Sequence, residues 1–304
     1  MSRLNEYVNY HINGDCDCNA VLLKAYSKEH KLTAQQVFDL CYFFSITYAV
    51  PTAIILLEDK ELILKDIDTY VAKNKEHLFF QSDRKYVKIL DRFNNCLKFY
   101  KNNLTDSNKV LETFVVNNEI DIGKAIRIIQ KWYYFGRCSA FLFIETLCTL
   151  TGYKIKNYTI DWQNGDTATS GLMNVFGYDE SANYFDKHNK LPINLDKHTL
   201  DQMLLNVMRE IKRKGGNDNV TYIETSLCGY RKHFKGTRYN GYYLDRQLEE
   251  INFYKNDSKR KSLICDLTHL RCTIFDKSML GEVNHWDGIR KQLKTAYLDG
   301  KGML

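Results

Sequence analysis

Four short segments of this 304-residue chain concentrate residue types that could do chemistry. In Gln81-Ser82-Asp83-Arg84-Lys85 two cations follow a carboxylate in a short connector, where Ser82 or Asp83 could equally serve as an ordinary helix cap. Trp132-Tyr133-Tyr134-Phe135-Gly136-Arg137 is followed by Glu145 within the most apolar and aromatic stretch of the chain. Arg and Glu are seldom buried alone, so Arg137 and Glu145 are expected to face a partner or a cavity. The segment from Glu224 to Arg246 holds Tyr230, Arg231, Lys232, Arg238, Tyr239, Tyr242 and Asp245 besides its two ends. Glu224 and Arg231 stand two helical turns apart on one face. Guanidinium forks bind phosphate oxygens in pairs, so this density suits a phosphate-bearing ligand, and a solvated lattice of salt bridges is the competing account. In Asn284-His285-Trp286-Asp287-Gly288-Ile289-Arg290, His285 is a candidate proton carrier and Asp287 a candidate helix cap.

Absences narrow the chemistry. The chain has no G-x-x-x-x-G-K-[ST] loop, no G-x-G-x-x-G, no H-E-x-x-H and no paired C-x-x-C, which argues against ATP-driven and nicotinamide enzymes. His11 with Cys16 and Cys18, or Cys265, His269 and Cys272, lack structural-zinc spacing, so no metal site is expected. A formal charge of +6 is moderate and fits a folded enzyme that handles phosphates through selected residues. The 21 tyrosines exceed the usual needs of a core, and rings beside Arg and Lys are what an extruded base stacks on, although helix packing accounts for most of them. Nine cysteines, several among apolar neighbours, point to a reducing compartment. Met1 to Tyr10 lacks the apolar run of a signal peptide, and Tyr48 to Leu57 is too short to span a bilayer. An intracellular protein without a membrane segment is expected.

The elements that must position these residues read as helices throughout. With only Pro51 and Pro192 and long stretches of helical spacing, an all-α fold with few or no strands is predicted. It is read as one domain over 1–304, with lobes at 1–152 and 153–304. Thr33 and Gln36 form a capping box ahead of Val37, Leu40, Cys41, Phe44 and Tyr48, and Pro51 should end or bend that helix between Thr47 and Thr52. Further helices are expected over Lys60–Lys73, Lys85–Lys101, Ser107–Ile129 (interrupted near Asn117), Trp132–Leu150 as the central helix, Leu200–Lys214, Val220–Phe234, Leu244–Phe253 and Gly288–Tyr297.

Taken together and in order, several segments resemble a phage family, the amino acid:DNA transferases of thymidine hypermodification. They are Phe43 to Thr52 (FFSITYAVPT), Phe79 to Lys85 (FFQSDRK), Tyr134 to Glu145 (YFGRCSAFLFIE) with Leu150-Thr151-Gly152, Ser170-Gly171-Leu172, Ser226 to Gly241 with Tyr242 to Gln247 (YYLDRQ), and His285 to Lys291 (HWDGIRK). The resemblance implies an enzyme in the host cytoplasm acting on double-stranded DNA whose thymine is replaced by 5-hydroxymethyluracil, already phosphorylated or pyrophosphorylated. A free amino acid is joined through its amine to the exocyclic methylene carbon, and phosphate or pyrophosphate leaves.

Such a substitution needs a stabilised leaving group, a neutral amine and access to the base. Arg84, Arg137, Arg231 and Arg246 form the pool for a phosphate clamp. Glu145, Asp245, His285 and Asp287 are candidates to take the ammonium proton, and the sequence does not choose among them. Tyr134, Tyr230, Tyr242 and Trp286 are candidates to stack an extruded base, and Lys85 or Arg290 to meet the amino acid's carboxylate. A divalent cation such as Mg2+ could assist departure of pyrophosphate, though no sequence feature requires one. The competing class is a helical glycosylase-like protein that recognises or excises a modified base with the same tyrosines and a carboxylate.

Overall fold

The computed structural model describes residues 2–81, 84–156, 160–162, 166–178, 195–235, 238–239 and 241–280. The fold is mostly helical, as the sequence predicts, with three short strands. In chain order the elements are α1 (Arg3–Asn13), α2 (Cys18–Glu29), α3 (Ala34–Thr47), α4 (Val50–Glu58), α5 (Lys60–Lys65), α6 (Ile67–Asn74), α7 (Leu90–Asn103), α8 (Ser107–Leu111), β1 (Val115–Val116), β2 (Glu119–Asp121), α9 (Ile122–Ile129), α10 (Arg137–Thr151), β3 (Lys154–Lys156), α11 (Asp166–Val175), α12 (Lys197–Arg213), α13 (Val220–Phe234), α14 (Tyr242–Phe253), α15 (Lys261–Ile274) and α16 (Lys277–Leu280). They form two compact units. One comprises Met1–Asp17, Thr159–Asp245 and Asp276–Leu304; the other comprises Cys18–Tyr158 and Arg246–Phe275. The division falls within α14.

The larger unit is built around α3, which packs on α4 and α10, while α10 also packs on α2 and α9. Residues 37–47 of α3 are all buried, as expected of a helix apolar around its whole circumference. The Thr33–Gln36 capping box opens α3 as the sequence predicts, and Tyr48 closes it in the left-handed region at φ 53°. Pro51 follows in the first turn of α4, where its missing N–H costs nothing. Asp39, fully buried on α3, accepts from Gln35, Tyr100 and Lys60 and so ties α3 to α7 and α5.

Several predicted boundaries change. The central helix begins at Arg137, not Trp132, because Tyr134 takes a left-handed conformation (φ 63°) and Gly136 is the N-cap. Trp132 and Phe135 reach the core from the turn instead. The predicted helix over Ser107–Ile129 contains a hairpin: Asn117 and Asn118 both have positive φ, the requirement of a two-residue hairpin turn, and β1 pairs antiparallel with β2 around them. β2 then pairs in parallel with β3. Lys60–Lys73 breaks at Asp66, which caps α6 by accepting from Thr69 N–H. The helix expected from Lys85 starts at Leu90.

In the smaller unit α11 and α13 cross at close range. A Cβ on Gly171 would lie 2.2 Å from the Leu227 carbonyl oxygen, and one on Gly229 would lie 2.6 Å from both Cys16 Sγ and the Tyr10 hydroxyl. Beside this crossing, the ring of His11 bridges α1 to α13: Nε2 meets the Asn217 carbonyl at 2.7 Å and Nδ1 meets Ser226 Oγ at 2.7 Å. Ser226 Oγ also lies 2.6 Å from the Tyr7 hydroxyl. Burial lowers the His11 pKa, keeping the ring neutral, so Nε2 carries the hydrogen and Nδ1 accepts.

Candidate functional site

The bend between α3 and α4 leaves donors without local partners, and these organise a polar cluster in the larger unit. Ala49 caps α4 without a side-chain hydrogen bond and Pro51 has no N–H, so the first free donor is Val50 N–H. It donates to Glu250 Oε2 at 3.0 Å, across 200 residues of sequence. The other Glu250 oxygen accepts from the Gln81 side-chain amide, whose own oxygen accepts from Arg246 Nη2 at 2.9 Å. Arg246 also pairs with Glu249. The segment carrying Gln81 is pinned along the bend: Gln81 N–H donates to the Thr47 carbonyl, and the Thr52 hydroxyl donates to the Phe79 carbonyl. The Tyr254 hydroxyl accepts from Phe79 N–H at 2.8 Å.

Glu250 has no exposed surface. Burial pushes its carboxyl up to about 8, against the Gln81 amide, the Val50 N–H and Arg246, all of which favour the ionised form. At neutral pH the folded chain therefore holds this carboxyl largely protonated, which an ordinary glutamate is not.

Arg84 extends the cluster toward α10. Its backbone N–H donates to the Gln81 carbonyl, and its guanidinium is buried. Nε donates to the Ser45 carbonyl at 3.1 Å, and Nη2 lies 3.9 Å from Cys138 Sγ. Arg84 therefore stands against Cys138 in the first turn of α10. On the neighbouring surface Arg84 Nη1 approaches the Tyr86 hydroxyl at 3.4 Å, and the rings of Tyr86 and Tyr134 lie 5.5 Å apart. Arg92 sits 5.0 Å over the Tyr134 ring. Tyr86 and Tyr134 are both 40% exposed, so part of each ring is open to a planar ligand.

Of the residues singled out from sequence, Arg84 and Arg246 thus join one connected cluster through Gln81, with Tyr134 beside it and Lys85 exposed at its edge, while Arg137 lays its guanidinium 5.9 Å over the Phe141 ring of its own helix. Glu145 does not join the cluster: eight residues along α10 from Arg137, it lies roughly 12 Å up the helix axis. Arg231, Tyr230, Tyr242 and Asp245 belong to the smaller unit. There Tyr230 is fully buried in contact with Tyr7 and Tyr10, which leaves no ring face for a base. Asp245 accepts from the Tyr239 hydroxyl at 2.6 Å, and Arg238 lies 4.0 Å over the Tyr242 ring. His285, Trp286, Asp287 and Arg290 lie outside the described residues. Among the described residues no group of His, Cys, Asp and Glu gathers to hold a metal, and none of the helices is long and apolar enough to cross a membrane. The sequence reading missed Glu250, Tyr86 and Arg92. Only the spacing of Glu250, one helical turn after Arg246, signals a shared face.

A family model for amino acid:DNA transferases matches residues 28–239, more than half of the chain. The chain belongs to the amino acid:DNA transferase family. It is a transferase whose substrates are DNA and an amino acid. The matched span holds Gln81, Arg84, Tyr134 and Arg137 and ends before Arg246 and Glu250. No curated protein matches the chain.

Proposed function

We propose that this transferase joins an amino acid, through its amine, to the methylene carbon of 5-hydroxymethyluracil in phage DNA, displacing phosphate or pyrophosphate from that carbon. One observation carries the reading: a buried guanidinium, Arg84, is held against Cys138 in the first turn of α10 and is joined through Gln81 to Arg246. Cations held in fixed positions stabilise charge that develops on a departing oxygen. The amine lone pair forms the new C–N bond, the C–O bond breaks with its electrons on the phosphate oxygen, and the ammonium proton passes to the Glu250 carboxylate. A carboxyl near 8 is matched to that task, since a base works best with a pKa close to the operating pH. The paired rings of Tyr86 and Tyr134 beside Arg84 would stack a pyrimidine turned out of the duplex. Lys85 would meet the DNA backbone at the same edge, as an exposed cation does.

The test is a reaction of the purified chain with duplex carrying phosphorylated or pyrophosphorylated 5-hydroxymethyluracil and a mixture of amino acids, followed by nucleoside mass spectrometry. An amino-linked nucleoside with matching release of phosphate or pyrophosphate is the expected product. Abasic sites would assign base excision instead, and an unaltered nucleoside with no phosphate release would reject the proposal.

A further inference from the structure

The peptide groups that lead into Gln81 are held in place, and a ring of hydrogen bonds through Tyr254 holds two of them. The Thr52 hydroxyl donates to the Phe79 carbonyl at 2.8 Å, Phe79 N–H donates to the Tyr254 oxygen at 2.8 Å, and the two hydroxyls lie 2.8 Å apart. A hydroxyl has one hydrogen to give. That of Thr52 is committed to the Phe79 carbonyl, so Tyr254 donates to Thr52 Oγ1 and the three residues close a ring in which each donates once and accepts once. The ring fixes the peptide groups on both sides of the Phe79 α-carbon. The next peptide group, between Phe80 and Gln81, is fixed in turn by donation from Gln81 N–H to the Thr47 carbonyl at 3.1 Å.

The Gln81 side chain is therefore launched from a rigid base. Its amide nitrogen donates to Glu250 and its oxygen accepts from Arg246. Tyr254 follows the last residue of α14, one helical turn after Glu250. This end of the helix thus grips the connector twice, through Gln81 and through Phe79. Tyr254 is buried, and burial pushes its phenol up to about 12, so it remains a donor at neutral and moderately alkaline pH. The charged groups facing Glu250 among the described residues, Arg246 and Glu249, lie on its own helix; Val50 N–H and the Gln81 amide, which approach it from the bend and the connector, do not titrate.

We propose that Tyr254 is a positioning residue: it aims the Gln81 amide at the Glu250 carboxyl, and so acts on the transfer through Glu250 without touching substrate. Its effect on transfer rests on the reading of Glu250 as the base; its hold on Gln81 does not. Without the phenol hydroxyl, Phe79 N–H and Thr52 each lose a partner and the Gln81 amide loosens. A hydrogen bond that favours the ionised carboxylate is then weakened, and Glu250 keeps its proton to higher pH.

The experiment follows the Glu250 titration in the full chain by carboxyl-carbon NMR of glutamate-labelled protein, with the signal identified by its loss in Glu250→Gln. Tyr254→Phe should raise the midpoint by about one pH unit. Thr52→Val, which opens the same ring at its other hydroxyl, should raise it as well, and Thr52→Ser, which keeps the hydroxyl, should restore the parent value. Tyr70→Phe is the control: it removes another buried phenol hydroxyl of the same unit, one bonded to Asp59, and should leave the midpoint unmoved. In the transfer assay the limb of the pH–rate profile that rises near 8 should move up with the midpoint in Tyr254→Phe. The rate at pH 7 then falls about tenfold, is recovered at higher pH, and the KM for the amino acid is unchanged. A midpoint that stays or falls in Tyr254→Phe, or that rises equally in Tyr70→Phe, overturns the proposal and leaves the transferase reading intact. A raised midpoint with an unmoved limb upholds the hold on Gln81 and rejects Glu250 as the base.

Discussion

Replacing Glu250 by Gln should exchange the order of stability of the two chains between pH 5 and pH 9, which no exposed glutamate could do. In the folded chain burial holds this carboxyl at about 8, whereas in the unfolded chain it returns to 4.5. Between those values the folded state binds the proton and the unfolded state does not, so stability falls as pH rises and the loss is complete above the folded value. Each pH unit in that window is worth ~1.4 kcal/mol, so crossing it removes on the order of 5 kcal/mol from the parent chain. Glutamine does not titrate. Its oxygen can still accept from Val50 N–H, but its amide nitrogen then meets the Gln81 amide, which must turn over and deprive Arg246 of its acceptor. That disturbance costs ~1–3 kcal/mol at every pH. Urea unfolding should therefore find Glu250→Gln less stable than the parent near pH 5 and more stable near pH 9. The transfer rate of the variant should fall ~100-fold or more, and the limb of the parent's pH–rate profile that rises near 8 should vanish. A gap between the two urea midpoints that stays constant from pH 5 to 9 would refute the account of Glu250.

Three further outcomes follow from particular contacts. Arg84→Lys keeps the charge but loses the fork between the Ser45 carbonyl and Cys138, so phosphate release measured at saturating amino acid should slow ~10–100-fold. Tyr134→Gly relieves a left-handed residue worth ~1 kcal/mol and removes an exposed ring, so the melting temperature should hold or rise while duplex binding weakens about tenfold in a fluorescence titration. Gly171→Ala drives a methyl group against the Leu227 carbonyl, and a loss of at least ~2 kcal/mol is expected by thermal melting; a neutral result would contradict the close crossing of α11 and α13.

Much of the fold is legible because its signals are local. The capping box at Thr33 and Gln36 and the break at Pro51 act over one turn, and both appear where the sequence predicts. Where two local signals compete, the sequence misleads. Asn117-Asn118 makes a hairpin inside a stretch of helical spacing, and Tyr134 ends the aromatic run before α10 because its backbone turns left-handed. Gly171 and Gly229, both within the segments that carry the family resemblance, turn out to answer to packing, since each admits a neighbour that a Cβ would strike.

By itself the sequence determined the helical class and the family. Composition, periodicity and motif order are carried by neighbouring residues and survive without coordinates. Only the tertiary structure brought Glu250 into the cluster. Glu250 meets Gln81 across 169 residues, and its affinity for a proton is set by complete removal from water, a property of the surroundings that the residue's own place in the chain does not encode.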